Sequence, residues 1–447
     1  MPYRVLQAVG LAALTTCLVA IYFRQQKLSA IHIHLNTHEM EHRDVIPGDK
    51  QKTTVKALPA LAEPWGSHHM FLRQAPYDPC PKQFIEGTWT SKRSMGNATL
   101  PLTLEAQREI HEHQHPPDCS KAKYLVYAVH PNGIGAVFHV TGVALHLALD
   151  LGRVFVEQSG TFLTGHPKCN GKDTLDSCYF LPFSGCRPTE EQMKSAVTIS
   201  FEDENLLVQP GADPTTLHAN AAVVIATHGA LVKIRAAAPR RFQARLSATA
   251  MDPKKHYYWW RAQSVAYMLR PRPEVLADLE ERRSRLLAGP TPLPGCISVH
   301  VRHGDKGVEA EVFEDKMYDE IAAKLRALAP SYFTDQLFVS TEDPETINYF
   351  VNQTNGKWHT GYTAGVPRKP DRHRPNLAYM AEIGYYEEML NSLLNLDLAL
   401  ECSGFVGSIF SNWVRLIDEL RATMRCKANA VFADVHYQNP HEMDVNW

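Results

Sequence analysis

Between residues 300 and 309 the chain brings together His300, Arg302, Asp305, Lys306 and Glu309. Arg302 offers a planar, permanently charged fork that matches a diphosphate, and Lys306 adds a mobile point charge. Such a pair can stabilise a departing nucleotide, because fixed positive charge balances the charge that develops on the leaving group. Glu309 is close enough in sequence to reach the same cleft, where a carboxylate can take a proton from an attacking hydroxyl. On spacing alone, a solvated loop acid is an equally good reading of Glu309. No Asp-x-Asp motif stands in a matching place, so this chemistry is expected to run without a metal ion.

These groups need a strand end to position them. Ile297-Ser-Val-His-Val301 is a short β-branched run that breaks at Gly304, and the carboxyl ends of strands are where open α/β sheets hold ligands. Alternation continues with a helix near Asp315 to Leu328, a strand at Gln336 to Ser340, helical pattern from Ala378 to Leu396, and Leu398-Ala-Leu400 as the next strand. A last helix runs from about Asn412 to Met424. Ser408 and Ser411 at its start place free amides and hydroxyls where an anion can bind, with simple capping by Ser411 as the alternative.

Upstream, Tyr124 to His130 reads as a strand, Pro131-Asn-Gly-Ile-Gly135 as a glycine turn and Val137 to Leu151 as a helix, followed by a strand at Arg153 to Glu157. Gly133 and Gly135 either approach a ligand or serve the steric needs of the turn. Residues 160–188 are expected to be irregular, and Glu190 to about Arg285 mostly helical, with Tyr257-Tyr-Trp-Trp260 packed in a helix. Gly289-Pro-Thr-Pro-Leu-Pro-Gly295 makes a rigid link, so a boundary is expected there between two domains of α/β class.

The totals limit the function classes. The 447 residues are enough for two cores, and 46 Lys and Arg against 48 Asp and Glu give no overall support for nucleic-acid binding. Val5 to Phe23 carries no charge and has membrane-spanning length, which predicts an uncleaved signal-anchor rather than a removed signal peptide. Residues 24–77 read as a stem. Eight cysteines remain outside the anchor, an even number suited to disulfides in an oxidising lumen, with Cys169, Cys178 and Cys186 close enough for a local bridge. Asn97-Ala-Thr99 and Asn352-Gln-Thr354 are glycosylation sequons. The histidines at 32, 34, 38 and 42 and at 111, 113 and 115 are read as solvated side chains in polar segments, not metal ligands.

The ordered set His300-Val-Arg-His-Gly-Asp-Lys306, Glu309-Ala310, Phe313 and Tyr318 resembles the first signature of the α1,6-fucosyltransferases of N-glycan core fucosylation. Trp259-Trp260 with Gln263 to Pro271, Thr341-Glu-Asp-Pro344, Ser408-x-x-Ser411 with Arg415, and Asn132-Gly-Ile-Gly135 with Phe138-His139 are similar to further segments of that family, from Tyr124 to Asn439. The resemblance implies a GT-B-like pair of Rossmann-type domains behind a membrane anchor, divided as tail 1–4, transmembrane helix 5–23, stem 24–77, acceptor-side domain 78–290 and donor-binding domain 291–447. It implies an inverting, metal-independent transfer of fucose from GDP-fucose, the donor substrate, to a glycan, with no cofactor.

By the same resemblance Arg302 grips the β-phosphate, Asp305 and Lys306 shape and activate the site, and Glu309 is the base. His300, Asp343 and Ser411 line the nucleotide pocket, Tyr318 is an aromatic of the site, and the guanine-recognising acid falls near Glu388 or Met389. His303 stands where the family has a second Arg, exchanging a fixed charge for a titratable one. The expected setting is a single-pass type II Golgi membrane protein with a luminal body, a glycan acceptor and room for a homodimer. Two alternatives remain. One keeps the fold and changes the acceptor to a protein hydroxyl or polysaccharide, or changes the donor sugar; the other is a non-catalytic, membrane-tethered glycan-binding protein.

Overall fold

The computed structural model describes residues 70–71, 76–85, 87–89, 94–129, 132–158, 167–169, 174–200, 202–203, 207, 213–234, 237–304, 312–368 and 376–435. The expected anchor, nearly all of the stem, and Asp305, Lys306 and Glu309 lie outside these residues. Among the described residues no helix is long and apolar enough to cross a membrane.

Two sheets carry the architecture. Strands are β1 (Met70–Phe71), β2 (Asp78–Pro79), β3 (Ala98–Thr99), β4 (Tyr124–Tyr127), β5 (Val154–Glu157), β6 (Val197–Thr198), β7 (Val223–Ile225), β8 (Leu287–Ala288), β9 (Ile297–Val301), β10 (Gln336–Thr341), β11 (His359–Thr363), β12 (Gly404–Gly407) and β13 (Phe432–Asp434). The first sheet has the order β5-β4-β7-β6 and is parallel throughout. The second has the order β1-β13-β12-β9-β10-β11-β8, parallel through its five central strands and closed by an antiparallel strand at each edge. Every residue of β9 is buried, as a central parallel strand covered on both faces requires.

The helices that matter for the site are α1 (Thr103–Gln114), α2 (Ile134–Asp150), α3 (His256–Met268), α4 (Pro273–Leu286), α5 (Asp315–Leu328), α6 (Pro344–Asn348), α7 (Asn376–Ile383), α8 (Tyr385–Glu401) and α9 (Asn412–Ala422). One continuous core takes Leu125, Phe155 and Val224 from the first sheet together with Phe338, Phe405 and Phe432 from the second. In it α3 is buried almost all round; Trp259 and Trp260 are fully covered and donate to the carbonyls of Pro101 at 2.7 Å and Gly142 at 3.0 Å. The aromatic block is thus the packed helix expected of it.

All eight body cysteines are paired, as Cys80–Cys426, Cys119–Cys186, Cys169–Cys178 and Cys296–Cys402. The expected local bridge is the nine-residue one. Cys80–Cys426 and the β1–β13 pairing tie the earliest described residues to the end of the second sheet.

Several elements differ from the sequence reading. Strands β6 and β7 fall inside the stretch read as mostly helical, because strands of two and three residues leave no periodic trace. Leu398 to Leu400 belongs to α8, and the strand follows at Gly404. The histidines near 111 sit on or just after α1 rather than in a loose segment: His111 and His115 stack with ring centroids 4.1 Å apart, and His113 Nε2 lies 2.8 Å from the Arg153 carbonyl.

Candidate functional site

Strand order reverses between β12 and β9 in the second sheet and between β4 and β7 in the first, and such switch points open crevices at the carboxyl ends of strands. A cleft of about 310 Å³ lies there, lined by Asn132 to Ala136 from the first sheet's turn and by His300, Arg302 and Ser340 to Glu342 from the ends of β9 and β10. Val366, Pro367 and Tyr379 form one wall. Glu388, Asn391, Ser392 and Asn395 of α8 line another part, and Ser411, Asn412 and Trp413 line the start of α9.

Two helices point their N-termini at this space. Neither Gly133, which precedes α2, nor Ser411, which precedes α9, caps its helix through a side chain, so amide N–H groups and the positive ends of both dipoles serve the cleft. Glycine at 135 is required by their closeness. A Cβ there would lie 2.7 Å from the carbonyl carbon of Asn412 and 2.9 Å from the amide nitrogen of Trp413. Steric need and proximity to the cleft therefore coincide at this residue.

His300 is buried, with Nδ1 2.9 Å from Ser340 Oγ and with Nε2 lacking a hydrogen-bond partner among the described residues. Burial pushes its pKa down to about 4, with Glu342 raising and Arg302 lowering it further, so at neutral pH the ring is an uncharged group awaiting a polar ligand atom. Arg302 Nη1 donates to the Glu342 carboxylate and, at 2.7 Å, to the His303 carbonyl; Glu342 also accepts the His303 N–H at 3.0 Å. These contacts fix the plane of the guanidinium at the cleft wall. Gly304, with φ 60°, then turns the chain away from the strand.

His303, Asp343, Tyr318 and Ser408 do not line the cleft. His303 Nδ1 is 2.8 Å from Asp343 Oδ2 and Nε2 is 2.9 Å from the Phe313 carbonyl. Burial works to lower its pKa, but those two bonds and the nearby Asp315 outweigh it, and the net shift is upward. Asp343 also caps α6 by accepting the Glu345 N–H at 2.9 Å. Tyr318 is fully buried in the core beside the second sheet, and Ser408 is buried with its carbonyl accepting the Ser411 N–H at 3.0 Å. The structure thus brings together His300, Arg302, Gly133, Gly135 and Ser411, and makes His303 and Asp343 a buried brace behind them.

No protein-family model matches the chain. Among solved structures it is similar to NodZ alpha-1,6-fucosyltransferase soaked with GDP-fucose, at 14% identity and a TM-score of 0.37 over 67% of this chain and 93% of that one. It is similar also to an Arabidopsis thaliana FUT1 mutant in complex with GDP, at 14% identity and a TM-score of 0.46 over 78% of this chain and 84% of that one. POFUT1 in its apo form follows at 13% identity and a TM-score of 0.41, over 68% and 96%.

Sequence reasoning assigned no role to Glu342, Tyr379, Asn391, Ser392, Asn395 or Asn412, and its helical spacing put Trp413 with Leu416, Ile417, Leu420 and Met424 on a buried face, whereas Trp413 is partly exposed and lines the cleft. The α8 group did leave a signal: residues 388, 391, 392 and 395 recur at helical spacing as a polar stripe on a leucine-rich helix. Of the two positions near which a base-recognising acid was expected, Glu388 is on the cleft and Met389 is fully buried in the core. Ser392 Oγ donates to Glu388 Oε1 at 3.2 Å, which steadies the carboxylate. The cleft therefore holds an anion-binding end, made by Arg302 and two helix N-termini, and a hydrogen-bonding wall suited to a flat polar heterocycle.

Proposed function

We propose that this chain is an inverting glycosyltransferase of GT-B-like architecture that moves fucose from GDP-fucose to a glycan hydroxyl, with the core α1,6 position of N-glycans as the first acceptor to test. The observation that carries the reading is the convergence of Arg302, the buried neutral His300 and the N-termini of α2 and α9 on one switch-point cleft. A diphosphate is what that combination recognises. Guanine fits the part of the cleft lined by α8, since the Glu388 carboxylate can accept from its ring and exocyclic N–H groups.

In the reaction, an acceptor oxygen forms its bond to the sugar's anomeric carbon from the face opposite the phosphate while the bond to the β-phosphate breaks. The electron pair leaves with GDP, where Arg302 and the helix amides meet the charge, and Lys306 and Asp305 assist by the sequence resemblance. Glu309 takes the acceptor's proton. No metal ion is needed for a leaving group already met by fixed positive charge. Complete pairing of the body cysteines, with Asn97 and Asn352 both exposed, supports a luminal body held by the 5–23 anchor in the Golgi.

The test is GDP release from GDP-fucose by the full chain with an N-glycan acceptor and a chelator present. Turnover is expected, with loss in Arg302→Ala. No turnover with any glycan, or tighter binding of UDP than of GDP in calorimetry, would overturn the proposal.

A further inference from the structure

The polar stripe on α8 holds two asparagines whose amide orientations are fixed by the partners they meet. Asn391 is buried and lines the cleft, and its Oδ1 accepts from Arg282 Nη1 of α4 at 3.0 Å. A guanidinium has no acceptor, so the amide oxygen must be the end that meets it. The guanidinium is itself held, with Nε donating to Asp278 at 2.7 Å and Nη2 to Glu387 at 2.7 Å. The Asn391 NH2 is thereby turned away from Arg282. Among the described residues it donates to nothing, and its nitrogen is not sealed in the core, so the cleft that the residue lines is where it finds a partner.

Asn395, one turn on, is fixed the other way. Its Nδ2 donates at 2.9 Å to the Asn391 backbone carbonyl, which only accepts, so Oδ1 is left for Thr363 Oγ1 at 3.1 Å and for the cleft. Ser392 gives its proton to Glu388. The wall therefore offers carboxylate and amide oxygens as acceptors and, from its asparagines, one NH2 as a donor. A base read by this wall needs an acceptor beside its N–H groups. On guanine the carbonyl O6 borders N1–H, and residues 388 and 391, three apart on one helix face, have Cβ atoms about 5–6 Å apart. With the Glu388 carboxylate on the N–H groups, O6 falls to Asn391.

We propose that Asn391 is a specificity-determining residue that donates its NH2 to the O6 carbonyl of a guanine nucleotide, and that Arg282 is a positioning residue that holds this amide with its NH2 toward the base. This rests on the reading of the cleft as a GDP site. Adenine carries an amino group where guanine carries O6, so the same NH2 would meet a second donor and both would go unpaired. Arg282 does not line the cleft, and it acts only through the amide it holds.

The probe is 6-thio-GDP, which keeps N1–H and the 2-amino group and replaces O6 by sulfur, a weak acceptor. Its affinity for the full chain is compared with that of GDP by calorimetry. Asn391→Asp keeps an oxygen for Arg282 while removing the NH2, and Arg282→Met keeps an apolar stem while freeing the amide to turn. Wild type is expected to favour GDP by about fivefold, the worth of one neutral hydrogen bond. Asn391→Asp should lose that preference, Arg282→Met should reduce it, and Arg282→Lys, which still donates, should restore part of it. An Arg282 that served the fold alone would lower the melting temperature and leave the ratio of the two affinities as in wild type, which would overturn its positioning role. Equal binding of GDP and 6-thio-GDP by wild type, or an unchanged ratio in Asn391→Asp, overturns this inference alone; no GDP binding by wild type overturns the cleft reading beneath it.

Discussion

The two sheets meet the cleft with different materials. The first sheet's edge presents the turn from Asn132 to Ala136 and the start of α2, so its contribution is amide dipoles and a close approach allowed by Gly135. The second sheet's edge presents side chains, among them His300, Arg302, Glu342 and Ser411. One side shapes the space and the other supplies formal charge and groups that titrate. The difference teaches that a two-sheet site can separate geometry from charge, and substitutions on the two sides should fail in different ways.

The largest effect is expected at Arg302. Removing it takes the cation from the anion-binding end and leaves the largely covered Glu342 without that partner, so Arg302→Ala should weaken GDP binding by about 2–5 kcal/mol with the fold intact. Calorimetry together with a thermal melt checks this. A variant that loses stability and keeps its affinity would reverse the assignment of charge to the second sheet.

Next is an acid limb in stability. His300 titrates at about 4 in the folded protein, against ~6.5 when exposed. The unfolded state therefore binds more protons, and His300 contributes stability above pH ~6.5 that is lost as pH falls toward 4, by roughly 3 kcal/mol. His303, with its pKa raised, acts in the opposite sense: its contribution is present at low pH and is lost as pH rises through its folded value. Denaturant midpoints against pH should show the acid limb flattened in His300→Gln and retained in His303→Gln.

Gly135→Ala is expected to cost about 1–3 kcal/mol of stability, because the added methyl meets backbone of α9 rather than a mobile side chain. Its signature is a lowered melting temperature, with any loss of GDP affinity following from the displaced helix start. Unchanged stability would show that the two helix N-termini are not held together there. The smallest effect is at Glu388. Glu388→Gln should cost about 1 kcal/mol, roughly fivefold, in GDP binding and leave the affinity for ADP nearly unchanged.

Legibility in the sequence followed burial. Strand β9 could be read because a central parallel strand is a β-branched run, and the polar residues at its end stood out against it. Strand β12 could not, since Gly404 and Gly407 lower strand propensity; they are there because a Cβ would lie 2.9 Å from Phe333 and from Val414. Helix α8 was cut short in the reading because Leu396, Leu398, Ala399 and Leu400 are all buried, which removes the polar face that marks helical period. His303 looked like a phosphate contact from its neighbours in sequence, and only its bonds to Asp343 and Phe313 reveal a brace.

By itself the sequence determined the α/β alternation, the supply of cysteines for an oxidised body, and the strand end where His300 and Arg302 stand, because propensity, parity and spacing are local properties. Tertiary structure alone decided that Gly135 touches the start of α9, that α8 adds a polar wall, and that His139 reaches Asn412 across 273 positions. Those contacts depend on how two sheets share one core, and no local pattern encodes the distance between groups that far apart along the chain.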